Sequence, residues 1–413
     1  MANSFIVRVT AMRLCGKHIL IGISGGIAAY KIPELIRHLV KAGAEVRVTT
    51  TRHALEFVTE LTLQTVSGHP VYKDVFAAIN EHATEHISLP EWADVMLVSP
   101  ATANVLGKSA AGIADDALTT TIASCMARKP MIFAPAMNDK MWVNPATQQA
   151  IATLRSWENV SVLEPEEGLL ACGVSGKGRM PEVEELQEAI EYALTPKDLA
   201  GKRVLITAGG TREAIDPVRF ISNHSTGKMG VALAQECARR GAEVTLVAAS
   251  MSAPVRNPFG LIHRVDAISA QAMYNACVEA WPKQHIAILC AAVADFTPEG
   301  VAVEKIKKQA GQTTLTLTLT KTPDIAASLG ESKKKEQTLI GFALETNNEE
   351  ANALRKLNSK HLDAIVLNSL RDQGAGFGTD TNRVTILRAD GSRCELPLQS
   401  KGAIAAGIID ALI

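Results

Sequence analysis

Apolar residues in the first half of the chain gather in short, β-branched runs: HILIGIS, AEVRVTTT, ADVMLVSP and KPMIFAP. Between the first two lies AAYKIPELIRHLVKAG, where apolar positions recur at helical spacing until Gly43 stops the pattern. Strand, helix and strand in this order make a βαβ unit, and near-continuous apolar strands belong to a parallel sheet covered on both faces. Loops at the carboxyl ends of such strands are where chemistry is expected. A polar helix around EVEELQEAIEYAL then leads into TPKDLAGKR, a Pro-, Gly- and charge-rich stretch that reads as a domain boundary.

After that stretch the alternation restarts. RVLITAGGT is a strand ending in glycines, GKMGVALAQECARRG a helix stopped by Gly241, and AEVTLVAAS the next strand; HIAILCAAVADF, TLIGFALET and DAIVLNS follow as strands. TTLTLTLT, residues 313–320, alternates with period two and predicts a half-exposed antiparallel strand. Both halves run strand, glycine turn, helix, GAEV, strand. The expectation is two doubly wound α/β (Rossmann-like) domains, residues 15–195 and 196–413, behind an extension of residues 1–14.

Composition narrows the class. The 413 residues are 47% hydrophobic and 21% charged with net charge −1, an ordinary globular balance without the basic field that nucleic acid requires. No apolar run approaches the ~20 residues of a membrane span. Seven scattered cysteines without a Cys-x-x-Cys pair point to a reducing cytoplasm and against a cysteine zinc cluster.

Two glycine loops invite a phosphate reading. NHSTGKMG, Asn223 to Gly230, contains a Gly-Lys pair, but a P-loop needs Gly at 222 and Ser or Thr at 229, where Ser222 and Met229 stand. In GISGGIAAYK, Ser24, Gly25, Gly26 and Ile27 join a strand to a helix, so backbone N–H groups can face an anion. Its spacing is not Gly-x-Gly-x-x-Gly, and the second strand ends in Thr49, Thr50 and Thr51 rather than in an acid. Hydroxyls suit a terminal phosphate better than a ribose diol.

SPATANVLGKSAAGIADD, with Ser99, Thr102 and Asn104, and PAMNDKMW, with Met137 and Asn138, both follow strands and so share the rim of the glycine loop. With His86 in EHISLPEWAD they resemble the flavin-containing cysteine decarboxylases, a flavodoxin-like family; ACGVSGKGRM, Ala171 to Met180, is similar to the substrate flap of its phosphopantothenoylcysteine decarboxylases. The resemblance implies FMN held by Ser24, Gly25, Gly26, Ile27, Thr51, Phe57, Ser99, Thr102 and Asn104. It also implies substrate contacts at Met137, Asn138, Ala171, Cys172, Gly173, Arg179 and Met180. A cysteine-derived carboxylate loses CO2 readily once its thiol carbon is oxidised, and FMN supplies that oxidation. His86 then assists oxidation and decarboxylation, Asn138 binds the carboxylate and amide, and Cys172 returns a proton.

ITAGGTREAIDPVRFISNHSTGKMG resembles the phosphopantothenate-cysteine ligase domain, which joins 4'-phosphopantothenate to L-cysteine through an acyl-cytidylate made from CTP and Mg2+. Acyl-nucleotide chemistry needs cations and donors around phosphates. Gly209 and Gly210 offer close backbone approach to a phosphate, and Arg219, Asn223 and Lys228 offer side-chain donors. The resemblance assigns Asn223 to the acyl-cytidylate, Arg219 to substrate, and Asp295, Lys305, Pro323, Asp324, Ile325, Ala326 and Phe342 to the nucleotide, with Lys305 catalytic. Lys356 and Lys360, four apart on one helix, suit the triphosphate. Gly210, Thr226 and Thr322 stand where the family commonly has Pro, Ser and Asn. FGTDTN resembles a loop that the family supplies from a partner subunit. The resemblance further implies a homo-oligomer, a dodecamer of decarboxylase trimers and ligase dimers with FMN at the trimer contacts. A regulatory flavoprotein or binding subunit without full activity is the alternative.

Overall fold

A computed structural model describes residues 13–76, 85–126, 128–169, 173, 175–307, 313–345, 347–369, 371, 374, 376 and 378–413. The extension before residue 13 lies outside the described residues. Contacts divide the described residues into two compact units: 13–195 with Arg256–Phe259, and Pro196–Val255 with Gly260–Ile413.

The first unit has strands β1 (His18–Ile23), β2 (Glu45–Thr50), β3 (Val71–Tyr72), β4 (Val95–Ala101), β5 (Met131–Pro135) and β6 (Val160–Val162) in one parallel sheet of order β3-β2-β1-β4-β5-β6. This is the 3-2-1-4-5-6 order of the dinucleotide fold, within the doubly wound class expected from the sequence. Side-chain alternation explains the unbroken apolar strands. Ile19, Ile21 and Ile23 of β1 enter one core with Val95 and Leu97 of β4, while Leu20, Met96 and Val98 enter the core on the other face. Helix Ile32–Lys41 buries Ile32, Leu35, Ile36 and Leu39, the i, i+3, i+4, i+7 stripe that its sequence predicts. Each such side chain contributes roughly 1.5–3 kcal/mol. β7 (Glu166–Leu169) and β8 (Ser175–Arg179) pair antiparallel, with Gly168 opposite Gly176.

In the second unit β9 (Arg203–Ala208) precedes a small hairpin of β10 (Arg212–Ala214) and β11 (Phe220–Ser222). β12 (Glu243–Ala248), β13 (Ile262–Asp266) and β14 (Ile286–Leu289) follow, then the short antiparallel pair β15 (Phe296–Pro298) and β16 (Leu319–Lys321). β17 (Thr338–Glu345), β18 (Ala364–Ser369), β19 (Thr381–Arg388) and β20 (Arg393–Ser400) complete it. The main sheet runs β13-β12-β9-β14-β17-β18-β19-β20, repeating the first unit's parallel order and adding an antiparallel hairpin at one edge.

The strand expected over 313–320 is confined to Leu319–Lys321. Alternation gives a segment two faces, but a strand also needs a partner, and β15 offers only three residues. Helix Lys401–Leu412 packs beside helix Lys228–Arg239, and Arg240 pairs with Asp410 near their far ends.

Candidate active sites

Each unit encloses its own cavity at the carboxyl ends of its central strands. In the first unit a cavity of about 1090 Å³ is lined by Ser24, Gly25, Gly26, Ile27, Thr51, Thr102, Asn104, Met137, Asn138, Arg179 and Met180, among others. These come from the ends of β1, β2, β4 and β5 and from β8, so one parallel sheet aligns loops far apart in sequence. The Ser24 hydroxyl donates to the Pro100 carbonyl at 2.7 Å and accepts from the Thr102 N–H at 3.1 Å, locking the glycine loop to the loop after β4. The N–H groups of Gly25, Gly26 and Ile27 have no hydrogen-bond acceptor among the described residues, and the buried Thr51 hydroxyl has no partner. Uncommitted donors and a buried hydroxyl on one wall fit a phosphate, which a buried polar group otherwise lacks.

Asn138 caps the helix Asp139–Trp142, its side-chain carbonyl accepting the Lys140 N–H at 2.9 Å. Arg179 pairs with Glu182. Ser99 lies beneath the cavity wall, its hydroxyl donating to the Met180 sulfur at 3.1 Å. Four expected residues among those described, Ser99, Phe57, His86 and Gly173, are not brought to the cavity. Ser99 supports Met180 from below, Phe57 is exposed beyond the turn Arg52–Glu56, and His86 sits on helix Glu85–Trp92 with its Nδ1 buried and unpartnered. Ala171 and Cys172 lie outside the described residues; Gly173 is described, in the left-handed region at φ 80°, and does not line the cavity. Burial pushes the Cys125 thiol up to about 11 and the Cys277 thiol up to about 12, so neither is a ready acid near neutrality. Tyr30, Lys31, His53 and Lys108 also line the cavity and were not expected. Tyr30 and Lys31 belong to the quoted GISGGIAAYK and Lys108 to the quoted SPATANVLGKSAAGIADD, whereas His53 lies outside every quoted motif and is placed by tertiary packing.

The second cavity, about 450 Å³, collects Asn223, Asp295, Pro323, Asp324, Ile325, Ala326, Phe342, Lys356 and Lys360 together with Lys228, Lys321, Asn368, Asn382 and Lys401. Five lysines face it against two aspartates, a balance suited to a polyanion. The Asn223 side-chain amide donates to the Ala292 carbonyl at 3.1 Å. Lys356 pairs with Glu345 at 2.7 Å and Lys360 with Asp324 at 2.9 Å, so both ammoniums have carboxylate partners. Burial opposes ionisation of Asp324, but the Ala327 N–H and the Lys360 ammonium outweigh it and hold the carboxyl below its usual range.

Four expected residues stand elsewhere. The Gly210 N–H donates to the Ser250 carbonyl at 3.0 Å, and the Gly209 carbonyl accepts from Ala292 at 2.9 Å; the pair knits backbone segments together and does not line the cavity. A proline at 210 could not make the first bond. The Arg219 guanidinium holds buried Asp216 far below the usual carboxylate range and also donates to the Ile306 carbonyl at 3.0 Å, so it braces the β10–β11 turn outside the cavity. Lys305 is exposed and outside the cavity. Thr322, in place of the common Asn, donates its hydroxyl to the Ala294 carbonyl at 2.6 Å. Gly378 and Asn382 of the FGTDTN stretch line this chain's own cavity, and Phe377 lies outside the described residues. Among the described residues no group of three His, Cys, Asp or Glu is placed to hold a metal, and no helix is long and apolar enough to cross a membrane.

Residues 10–195 match the family model described as Flavoprotein, and residues 199–413 that described as DNA/pantothenate metabolism flavoprotein C-terminal domain. The chain is 48% identical over 391 residues to the coenzyme A biosynthesis bifunctional protein CoaBC of Bacillus subtilis, covering 94% of each chain. It is 45% identical over 396 residues to the CoaBC protein of Vibrio vulnificus strain YJ016, covering 96% of this chain and 97% of that one. It is also 48% identical over 357 residues to a cysteine/cysteine sulfinic acid decarboxylase of an unknown prokaryotic organism, covering 85% of this chain and 98% of that one. Two cavities of different chemistry, one in each matched region, accord with a protein of two activities, and the chain belongs to the family of coenzyme A biosynthesis bifunctional proteins CoaBC.

Proposed function

We propose that residues 196–413 join 4'-phosphopantothenate to L-cysteine with CTP, and that residues 15–195 decarboxylate the 4'-phospho-N-pantothenoylcysteine so formed to 4'-phosphopantetheine with FMN, both in the cytoplasm. The observation that carries this reading is the pair of cavities: one offers uncommitted N–H groups and a buried hydroxyl, the other five lysines.

Bound flavin supplies a two-electron acceptor that leaves no net redox change over the cycle. The residues at hand fit it. Gly25, Gly26, Ile27 and Thr51 hold the phosphate, Ser24 and Thr102 keep that loop in place, and Asn138 orients the substrate carboxylate. Cys172 donates the final proton to carbon. His86 lies outside its own chain's cavity, which supports a trimer in which a neighbouring copy completes the site. In the ligase, Asn223 positions the acyl-nucleotide while Lys356 and Lys360 exchange their carboxylate partners for phosphate oxygens. Lys305 would serve the α-phosphate, and Mg2+ would supply further charge neutralisation to the triphosphate. The assembly is a dodecamer built from decarboxylase trimers and ligase dimers.

Gly25 gives one direct check on the flavin site. A Cβ there would sit 2.6 Å from the His53 Cβ, so Gly25→Ala pushes the loop outward. The variant is expected to retain flavin roughly tenfold less well, read as loss of visible flavin absorbance after gel filtration. Unchanged flavin content would remove the loop from the phosphate site.

The similarity to a cysteine/cysteine sulfinic acid decarboxylase favours a second reading, direct decarboxylation of a free amino acid. One assay separates them. With 4'-phosphopantothenate, cysteine and CTP, the proposed enzyme releases pyrophosphate and equal amounts of CMP and CO2. CO2 from cysteine or its sulfinate without CTP, at a comparable rate, would favour the second reading.

A further inference from the structure

Lys401 opens the helix Lys401–Leu412 and is only 7% exposed, yet it lines the second cavity. Its ammonium donates to the Gly376 carbonyl at 3.2 Å and the Thr379 carbonyl at 2.5 Å. Its third N–H has no partner among the described residues, and no carboxylate is bonded to it. Lys228 opens the neighbouring packed helix, faces the same cavity, and donates to the Gly378 carbonyl at 2.9 Å and to Asp380 at 2.6 Å. Asp380 is thus the carboxylate that both ammoniums feel, and its side chain is 89% exposed, spending most of its charge on solvent. Two cations share one solvated anion. The wall also carries Asn368, whose buried side-chain carbonyl is unpartnered, an amide able to present donor or acceptor once a ligand arrives.

A buried ammonium held only by carbonyls is electrically incomplete, and one bound anion would complete it. Burial first, and then the Lys228 ammonium, hold Lys401 below the ordinary lysine value, consistent with a cation lacking its counter-charge. Two other cations of the same cavity, Lys356 and Lys360, already have Glu345 and Asp324. Lys321 also faces the cavity without a carboxylate partner among the described residues, but it lies on exposed β16, so Lys401 is the buried ammonium of the five without a carboxylate bonded to it.

We propose that Lys401, together with Lys228, forms a further anion subsite of the ligase cavity that takes a phosphate group of one of its substrates. This rests on the ligase reading above. Two substrates carry such a group, the nucleoside triphosphate and the 4'-phosphorylated acid, and the chemistry of the subsite is the same for both.

The test uses the full chain loaded with flavin, and pyrophosphate release measured while CTP, 4'-phosphopantothenate and cysteine are varied separately. Lys401→Met keeps length and removes charge. It is expected to raise the KM of one phosphate-bearing substrate roughly tenfold or more, with kcat within about threefold and the cysteine KM unmoved. Lys401→Arg should restore most of the loss. A rise for CTP, with weaker inhibition by inorganic tripolyphosphate, assigns the subsite to the nucleotide; a rise for the acid alone assigns it to the 4'-phosphate. Asp380→Asn, which removes the competing carboxylate, should lower that same KM. Loss of kcat with both KM values unmoved, or an equal rise in all three, would overturn the proposal and leave Lys401 as a loop anchor. If Lys401→Met does not fold, an Asp380→Asn enzyme with unchanged KM values overturns it instead. If the unaltered chain releases no pyrophosphate, the ligase reading fails on its own. Calorimetric titration of tripolyphosphate and of inorganic phosphate into the unaltered chain and Lys401→Arg still decides the subsite, which is overturned when neither anion binds.

Discussion

Asn223→Asp is expected to slow ligation by roughly 10²–10³-fold while decarboxylation of supplied 4'-phospho-N-pantothenoylcysteine proceeds at its normal rate. The amide of Asn223 donates to the Ala292 carbonyl at 3.1 Å, and that bond sets where its side-chain oxygen stands. Aspartate at neutral pH has no N–H, so a carboxylate oxygen would face the carbonyl at hydrogen-bond distance and turn away. Its charge would also draw a neighbouring lysine from the phosphates it should meet, since five lysines face the same cavity. Pyrophosphate release reports the first activity and CO2 from the preformed substrate the second. A parallel loss of both would contradict two separate sites.

Gly178→Ala is the mirror experiment in the other unit. A Cβ at Gly178 would lie 2.2 Å from the Met137 carbonyl oxygen, far inside contact distance. Neither side yields easily, because the Met137 N–H donates to the Gly178 carbonyl at 2.9 Å and the Ala136 N–H ties the same segment to Ala101 at 3.1 Å. The β7–β8 hairpin must therefore lift from Met137 and Asn138 by about 1 Å, enough to misplace substrate and cost roughly 10²-fold in decarboxylation. Flavin content and ligation should be unchanged. Normal decarboxylation in this variant would separate the hairpin from the site.

Legibility followed the range of the interactions involved. The strand-helix alternation, the glycine loop and the rim residues Thr102, Asn104, Met137 and Asn138 were readable because strand ends in a parallel sheet fall on one edge, so adjacency follows from periodicity. A glycine pair after a strand signals close approach, and at Gly209 and Gly210 the group that approaches in the folded chain is the backbone of Ser250 and Ala292, which no local pattern names. The partner of Arg219 was not legible, because nothing in a polar loop says that Asp216 is buried beneath the guanidinium and pairs with it. Period two in 313–320 named two faces without naming a partner strand.

The amino-acid sequence by itself determined two doubly wound units, a glycine loop at the first strand's end and a ligase half, because side-chain period and residue type act over a few residues. Only the tertiary structure decided which charges meet. Lys228 reaches Asp380 across 152 residues, and Lys401 joins them because two helices pack side by side and bring their first residues to the same end of the sheet. Electrostatic energy depends on separation in space and on exclusion of water, and the order of residues along the chain encodes neither directly.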